Sequence, residues 1–479
     1  MSATRDAVEG AVGGPLEARA RRAVIADVRA WLAWQESLAT WRRQRSEVRT
    51  SAGAPAAAFV ALYARGELRG CVGAVEGGAK ERLARAFLSA LLDTRFGGVR
   101  ASDRRDLVAE VTYLRAPRFV DSDELSRELE LGTHGIGLWR DRGGPVFLLP
   151  NVARDSRLDR EGMVEALHRK AGPQPGSLFL FESEGIVVRR SPGLEDDPTP
   201  RDAAAAWLAS LVRPHGAVRF AIDARTGAVI DVGTMHHARA AAVLQALAQH
   251  GGHRAAVARG RARMAVEIRR ALEGVVVDGW PTAVAEVAGT LAHALRAGVA
   301  VRAEAVAYAA EHAGVIAQAP WHAGQVIAAL GGDAPTPLWE ACLRDLERQS
   351  WAPWTVLGMR ARGEPAARAE RAVRGLVAAV RASAPYEGAI ILTNAAEVAV
   401  TALTIEALLA YPDIDGARAA ILRARSFVSR QQLLASTIPA AFIGGEAETT
   451  GAFVATPASS LLRGDVTAHA LLASERATF

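Results

Sequence analysis

Leu68-Arg69-Gly70-Cys71-Val72-Gly73 is a glycine-bracketed cysteine that follows the apolar run Ala58-Phe59-Val60-Ala61-Leu62-Tyr63. A run rich in Phe, Val, Leu and Tyr that stops at Arg65-Gly66-Glu67 reads as a strand, a short turn and a second strand carrying the cysteine. Neighbours in a strand point to opposite faces, so Arg69, Cys71 and Gly73 are expected on one face. A guanidinium close to a thiol favours the thiolate, which makes Cys71 a candidate nucleophile. A purely structural reading competes with it. Free cysteine is among the most buried residues, and glycines beside it would permit close packing in a sheet core.

Outward from this hairpin the pattern is α+β with mostly antiparallel strands. Upstream, residues 16 to about 45 carry Leu16, Ala20, Val24, Val28, Trp31 and Leu32 at the spacing of an amphipathic helix. Downstream, Ala79 to Leu92 has Leu83, Ala84, Phe87, Ala90 and Leu91 on one helical face, and Asp93-Thr94-Arg95-Phe96-Gly97-Gly98 ends it. A strand is expected over Leu107 to Leu114, closed by Ala116-Pro117. Gly132-Thr133-His134-Gly135 precedes a hairpin whose arms are Ile136 to Trp139 and Val146 to Leu149. A helix over Asp159 to Ala171 follows, then a strand pair turning at Ser183-Glu184-Gly185.

These motifs in this order resemble the AMMECR-one domain family (AMME syndrome chromosomal region, gene one). The family pattern has an aromatic-Val-Thr-Leu strand, Leu-Arg-Gly-Cys-Ile-Gly, Asp-Pro-Arg-Phe, Gly-x-His-Gly and Leu-Leu-Leu-Pro-Gln-Val. Here those read Phe59-Val60-Ala61-Leu62, Leu68 to Gly73, Asp93-Thr94-Arg95-Phe96, Gly132-Thr133-His134-Gly135 and Leu148-Leu149-Pro150-Asn151-Val152. Thr94 replaces proline, Asn151 replaces glutamine, and His168 stands where family members often have a second cysteine. The resemblance implies a pathway shared with Memo-like proteins and radical SAM enzymes.

The candidate catalytic set is Cys71, Arg69, Asp93, Arg95 and His134. Asp93 and Arg95 would add a carboxylate and a guanidinium to an anion-binding or acid–base site, or else brace the end of the preceding helix. His134 would be the general base, or only a turn residue. No cofactor and no metal are expected. The two cysteines, Cys71 and Cys342, lie far apart, as free thiols of a reducing cytoplasm would.

The chain has 479 residues, which argues for more than one domain. Its 57 basic and 52 acidic residues leave a net charge of only +5. Lysine occurs only at Lys80 and Lys170, so the basic charge is arginine spread along helices, and nucleic-acid binding is not expected. The longest stretch free of charged side chains, Ala313 to Gly332, is interrupted by Gln318, Pro320, His322 and Gln325, so no membrane span is expected.

The first domain is read as residues 1–190, an acidic, proline-rich linker as 191–202, and a second domain as 203–479. After a hairpin around Ala224-Arg225-Thr226-Gly227, the second domain reads as eleven helices joined by short loops, the last beginning near Ala395, Gly416 and Val466. Such paired helices suggest a solenoid or a closed α/α toroid. Gln349 before Trp351 and Trp354, and Gln432 before Gly451-Ala452-Phe453, resemble the Gln-Trp repeat of squalene-cyclase and prenyltransferase-like toroids, without their aspartate-rich motif. Within this domain His236-His237 lacks the converging ligands zinc requires. Asp465 and His469 share a helical face and, with Trp321, His322, Trp351 and Trp354, would line the mouth of a toroid. The structural alternative has Asp465 capping its own helix and the tryptophans gluing repeats.

Three functions follow as expectations. The first is a catalytic or substrate-handling module centred on Cys71. The second is a non-enzymatic adaptor whose helical domain binds a partner protein. The third is a terpenoid-handling toroid.

Overall fold

The computed structural model describes residues 24–26, 28–29, 31–32, 58–74, 79–103, 106–140, 144–189, 199–233, 235–348, 352–383, 386–392, 395–434, 442 and 449–475. They divide into two compact units, one within Met1–Asp197 with Ala224–Gly227 and Leu434–Ala447, the other within Pro198–Asp223, Ala228–Leu433 and Glu448–Phe479.

The first unit is built on six strands: β1 (Ala58–Ala64), β2 (Glu67–Ala74), β3 (Leu107–Phe119), β4 (His134–Arg140), β5 (Gly144–Leu148) and β6 (Gly176–Arg189). They form one sheet in the order β2-β1-β3-β6-β4-β5, antiparallel at every pairing. Its helices are α1 (Ala79–Leu91), α2 (Ser122–Glu128), α3 (Asn151–Ser156) and α4 (Arg160–Ala171). Of the expected amino-terminal helix, the described residues between 24 and 32 are helical and bury Val24, Val28, Trp31 and Leu32; the rest of the 16–45 span lies outside the described residues.

One face of the sheet carries the helices. Val60, Leu62, Val111 and Ile186 pack under Leu83, Phe87 and Leu91 of α1. Ile136, Leu138, Leu148 and Leu180 pack under Leu125 of α2 and Met163 and Leu167 of α4. The other face closes on itself around Phe59, Leu114, Phe147, Leu149, Phe179 and Phe181. The Phe59 and Phe147 rings meet with centroids 5.1 Å apart. In a flat sheet β1 and β5, four strand spacings apart, would be separated by roughly 19 Å. The sheet is therefore curled into a half-barrel, with β2 and β5 as its two edges.

Two irregularities help it bend, and both correct the strand assignments. β3 does not end at Pro117 but continues to Phe119, with a register shift between Arg115 and Arg118. Proline is tolerated there because a bulge needs no ladder hydrogen bond from it. The second shift lies between Leu62 and Tyr63. The expected turn at Ser183-Glu184-Gly185 is absent: β6 runs through it, pairing with β3 from Phe179 to Arg189 and with β4 from Gly176 to Glu182.

In the second unit the first helix, α5 (Pro200–Leu211), starts earlier than the expected boundary at 203. Thr199 caps it by accepting from Asp202 N, and proline occupies its first turn. Residues 191–198 of the expected linker lie outside the described residues. The hairpin β7 (Ala221–Asp223) and β8 (Val229–Ile230) is present but not isolated, because β11 (Leu461–Arg463) pairs with β7; a small hairpin, β9 (Ile391–Leu392) and β10 (Ala395–Ala396), lies between them in sequence. The helix expected from Ala395 begins at Val398, after β10.

The helices that follow are α6 (His236–His250), α7 (Arg254–Leu272), α8 (Val284–Arg296), α9 (Arg302–Glu311), α10 (Ala313–Ile316), α11 (Pro320–Leu330), α12 (Thr336–Arg348), α13 (Pro353–Ala361), α14 (Ala366–Ala379), α15 (Val398–Leu408), α16 (Ala417–Ser429) and α17 (Gly464–Glu475). Apart from the one-turn α10, they fall with α5 into two sets. α6 packs on α8, α8 on α11, α11 on α13, α13 on α15, α15 on α17, and α17 on α6. Each of these carries a second helix: α7 on α6, α9 on α8, α12 on α11, α14 on α13, α16 on α15 and α5 on α17. Sequence explains the sorting. α15 reads Val-Ala-Val-Thr-Ala-Leu-Thr-Ile-Glu-Ala-Leu and is buried almost all round, whereas α7 keeps its arginines outside and buries a stripe through Val257, Met264 and Ile268.

Candidate functional site around Cys71

Cys71 lies on the edge strand β2, opposite Ala61 of β1, which in turn faces Glu110 of β3. These residues, with Phe59, Tyr63 and Val187, share the concave face, and Cys71 is half-buried among Leu68, Tyr63 and Val108. Its flanking glycines have separate reasons. A Cβ on Gly70 would stand 2.0 Å from the Ala90 carbonyl oxygen of α1, and one on Gly73 would stand 2.2 Å from the Phe59 ring. The hairpin is thus pressed against a helix on one side and an aromatic ring on the other.

An edge strand has backbone groups with no neighbouring strand to bond. At Cys71 these are taken by the Asp93–Arg95 pair. Cys71 N donates to Asp93 Oδ2 at 3.0 Å, and Arg95 Nη2 donates to Cys71 O at 2.7 Å. The two side chains also bind each other, through Arg95 Nε to Asp93 Oδ1 at 2.9 Å and Arg95 Nη2 to Asp93 Oδ2 at 2.8 Å. Asp93 caps the short 3-10 turn Thr94–Phe96 at the same time. The pair is a clamp that fixes the cysteine's backbone.

The Arg95 side chain, with the backbone N–H groups of Cys71 and Arg95, holds the Asp93 carboxyl down at about 2, against the effect of its burial. A carboxylate whose folded pKa lies below its unfolded value of about 3.9 stabilises the fold above that value and loses the contribution as pH falls towards the folded pKa. Asp93→Asn should therefore cost up to ~2 kcal/mol at neutral pH, less for the solvent screening of exposed Arg95. The check is urea unfolding at several pH values: wild type and variant should converge between about pH 4 and pH 2, and parallel curves would refute the clamp's weight.

Two residues expected beside Cys71 are elsewhere. Arg69 is buried, with Nε on Asp103 Oδ2 at 3.1 Å and Nη2 on Glu67 Oε2 at 2.6 Å. Alternation fails because Arg69 is the extra residue of the Leu62/Tyr63 register shift, where Leu68 takes the place facing Tyr63. Asp103, fully buried, also accepts from Arg65 Nη2 and Arg100 N. His134 opens β4 with the same parity as Ile136 and Leu138, which puts it on the helix-covered face, opposite to Cys71. Its Nδ1 accepts from Glu130 N at 3.1 Å, and its burial lowers its pKa. His168 is exposed on α4.

Three residues not anticipated join Cys71 instead. Lys170, in the last turn of α4, donates from Nζ to Phe147 O at 2.8 Å on the opposite edge strand β5. Tyr63 and Glu110 come from β1 and β3. Burial pushes the Cys71 thiol up; Lys170 and Arg95 oppose this, while Glu110 and Asp93 add to it. Desolvation lowers the Lys170 ammonium, and the charge of a Cys71 thiolate would raise it. Burial first, then Glu110, Asp155 and Cys71, raise Tyr63 well above the usual phenol value. The result at neutral pH is a protonated thiol packed with a neutral phenol and acted on by the Lys170 charge, not a thiolate activated by Arg69. Lys170 had one sequence signal, its rarity among arginines.

In the second unit His237 places its Nδ1 3.3 Å from Gly279 O and its Nε2 3.3 Å from Glu267 Oε2. Burial, with the neighbouring His237, takes His236 down to about 4. Gln349 and Trp351 lie outside the described residues. Gln432 does tie its helix end to the following loop, with Nε2 donating to Gly451 O at 3.3 Å and to Pro200 O at 2.6 Å. Among the described residues no helix is long and apolar enough to cross a membrane.

A curled antiparallel sheet, helices on its convex face and a cysteine clamped at its edge define the class of the first unit: an α+β half-barrel domain. The AMMECR1 family profile matches residues 22–186. A protein of Methanococcoides burtonii is 33% identical over 141 residues, which are 26% of this chain and 68% of that protein. One from Methanosarcina mazei is 31% identical over 137 residues, with the same shares of 26% and 68%. The crystal structure of an uncharacterized protein from Pyrococcus horikoshii is similar at 22% identity and a TM-score of 0.28, covering 39% of this chain and 95% of that one. Through these residues the chain belongs to the AMMECR1 family.

Proposed function

We propose that the amino-terminal unit is a substrate-handling module whose concave face binds a small molecule or peptide across Cys71, Tyr63 and Lys170. The observation that carries this reading is the division of labour at Cys71: Asp93 and Arg95 hold its backbone, while its half-buried side chain stays on the concave face, under the electrostatic influence of Lys170, which is anchored on the opposite edge strand. A thiol and an ammonium together suit a ligand with an anionic or carbonyl oxygen. In this reading the pathway partners are the Memo-like proteins and radical SAM enzymes that the family resemblance implies.

Protection of Cys71 from iodoacetamide tests the reading. The small-molecule fraction of a cell extract should slow alkylation in the full chain about tenfold and should fail to do so in Lys170→Met. If no fraction protects Cys71, or if protection ignores Lys170, the substrate-handling reading falls.

A second reading, a non-enzymatic adaptor, draws on the use of Asp93 and Arg95 for bracing and on the raised thiol pKa. Gel filtration of the full chain with a Memo-like protein separates the two: the adaptor requires a complex that survives Cys71→Ser and Lys170→Met. For the helical unit we read a closed α/α toroid. The cyclic succession from α6 through α8, α11, α13, α15 and α17 back to α6 supports it, as does the outer helix carried by each.

A further inference from the structure

The six helices that succeed one another cyclically all contribute to one cavity of about 180 Å³. Its lining includes Ala242 of α6, His293 of α8, Trp321 of α11, Trp354 of α13, Leu403 of α15 and His469 of α17. At ~30 Å³ per water this is room for about six waters, or for one substituted aromatic ring. Met235, Val400 and Leu403 supply apolar wall, and the Trp321 and Trp354 rings stand edge to face at 87° with centroids 6.4 Å apart.

The polar side of the cavity is a built arrangement. Glu406 is fully buried, and its Oε1 lies 2.9 Å from His469 Nδ1. A carboxylate on Nδ1 fixes the proton there and leaves Nε2 as the basic nitrogen. His469 Nε2 has no hydrogen-bond partner among the described residues and is not sealed from the cavity. Trp354 packs edge-on against His469 at 6.5 Å and against His293 at 5.1 Å. His293 accepts at Nε2 from Gln325 Nε2 at 3.2 Å, which leaves its Nδ1 as a buried donor with no partner among the described residues. His293 itself is only 6% exposed.

The charges nearby are already compensated. Asp465 is gripped by Arg463, at 3.0 and 2.5 Å, and by Arg239 at 3.6 Å, so it neither caps its helix nor offers a free carboxylate. Glu397 acts on Arg463 as well, and Arg296 lies 3.8 Å from Glu406. A neutral hydroxyl therefore fits this lining better than an anionic headgroup.

We infer that this cavity is a binding site for a small hydroxyl-bearing aromatic compound, in which the Glu406–His469 pair takes up the hydroxyl proton. The ring lies against Trp321 and Trp354, and the O–H donates to His469 Nε2. Proton transfer leaves an aryloxide and an imidazolium; Nδ1–H stays on the Glu406 carboxylate, which stabilises the positive ring. His469 touches the ligand, and Glu406 is a positioning residue.

Para-nitrophenol is the probe, because its ionised form is yellow and its neutral form is not. The full chain, below the pH at which the free phenol ionises, should bind one equivalent and develop the phenolate band. His469→Gln should reduce the ionised fraction of bound probe by at least about tenfold while binding persists, and Glu406→Gln should reduce it less. Ala399→Trp, which fills the cavity from a half-buried position, should abolish binding with an unchanged melting temperature. Failure of the wild type to bind, a phenolate band indifferent to His469→Gln, or undiminished binding by Ala399→Trp would overturn the assignment.

Discussion

Gly70→Ala is expected to destabilise the amino-terminal unit by ~3 kcal/mol or more, the upper end of what overpacking costs. The added methyl would stand 2.0 Å from a helix backbone oxygen, that of Ala90, and 3.2 Å from Asp93 Cβ. A flexible side chain could move aside; a carbonyl inside α1 moves only with the helix. The shift would also pull Asp93 from Cys71 N, so the clamp and the packing fail together. Set against a typical domain stability of about 5–15 kcal/mol, the loss is a large fraction. Urea unfolding followed by a probe specific to this unit checks it, and a change below about 1 kcal/mol would show that strand and helix separate freely.

The second large effect is expected at Phe147→Ala, at ~3–5 kcal/mol. Phe147 is buried on β5 and its ring touches those of Phe59, Phe179 and Phe181, with centroids 5.1, 5.4 and 6.0 Å away. It is the contact that joins the far edge of the sheet to β1. Gly135 and Gly137 of β4 leave the room in which Phe181 and Phe179 lie, so nothing nearby can swing in to fill the void. Because Lys170 is anchored on the Phe147 carbonyl, the loss should also loosen the edge beside Cys71 and speed its alkylation. Phe147→Leu, which keeps most of the volume, should recover much of the stability.

The contrast between legible and illegible residues follows from how each is encoded. The Cys71 hairpin, α1 and α4 were readable because apolar periodicity and turn residues are local properties. The position of Arg69 was not, because one extra residue at Leu62/Tyr63 reverses the parity of a strand without changing its composition. His134 looked like a turn residue for its glycine neighbours, but while Gly132 does lie in the turn, Gly135 belongs to β4 and makes space for the Phe181 ring of β6. Gly185 likewise sits inside a continuous strand. The charge of Lys170, held on the far edge strand at the Phe147 carbonyl, acts on Cys71 because the sheet curls, a consequence of aromatic packing between strands far apart in order. In the helical unit the element positions were readable, whereas the meeting of Asp465, His469, Trp321 and Trp354 at one cavity depends on the order in which helices pack.

The central claim is that Cys71 carries a protonated thiol on which Lys170, rather than Arg69, exerts the largest cationic influence. The most direct measurement is the pH dependence of Cys71 alkylation in the full chain, with Cys342 replaced by serine so that one thiol reports. The predicted midpoint lies above that of an ordinary thiol, moves further up in Lys170→Met, and does not move in Arg69→Lys. A midpoint at or below the ordinary value, or one that responds to Arg69 and ignores Lys170, would contradict the account.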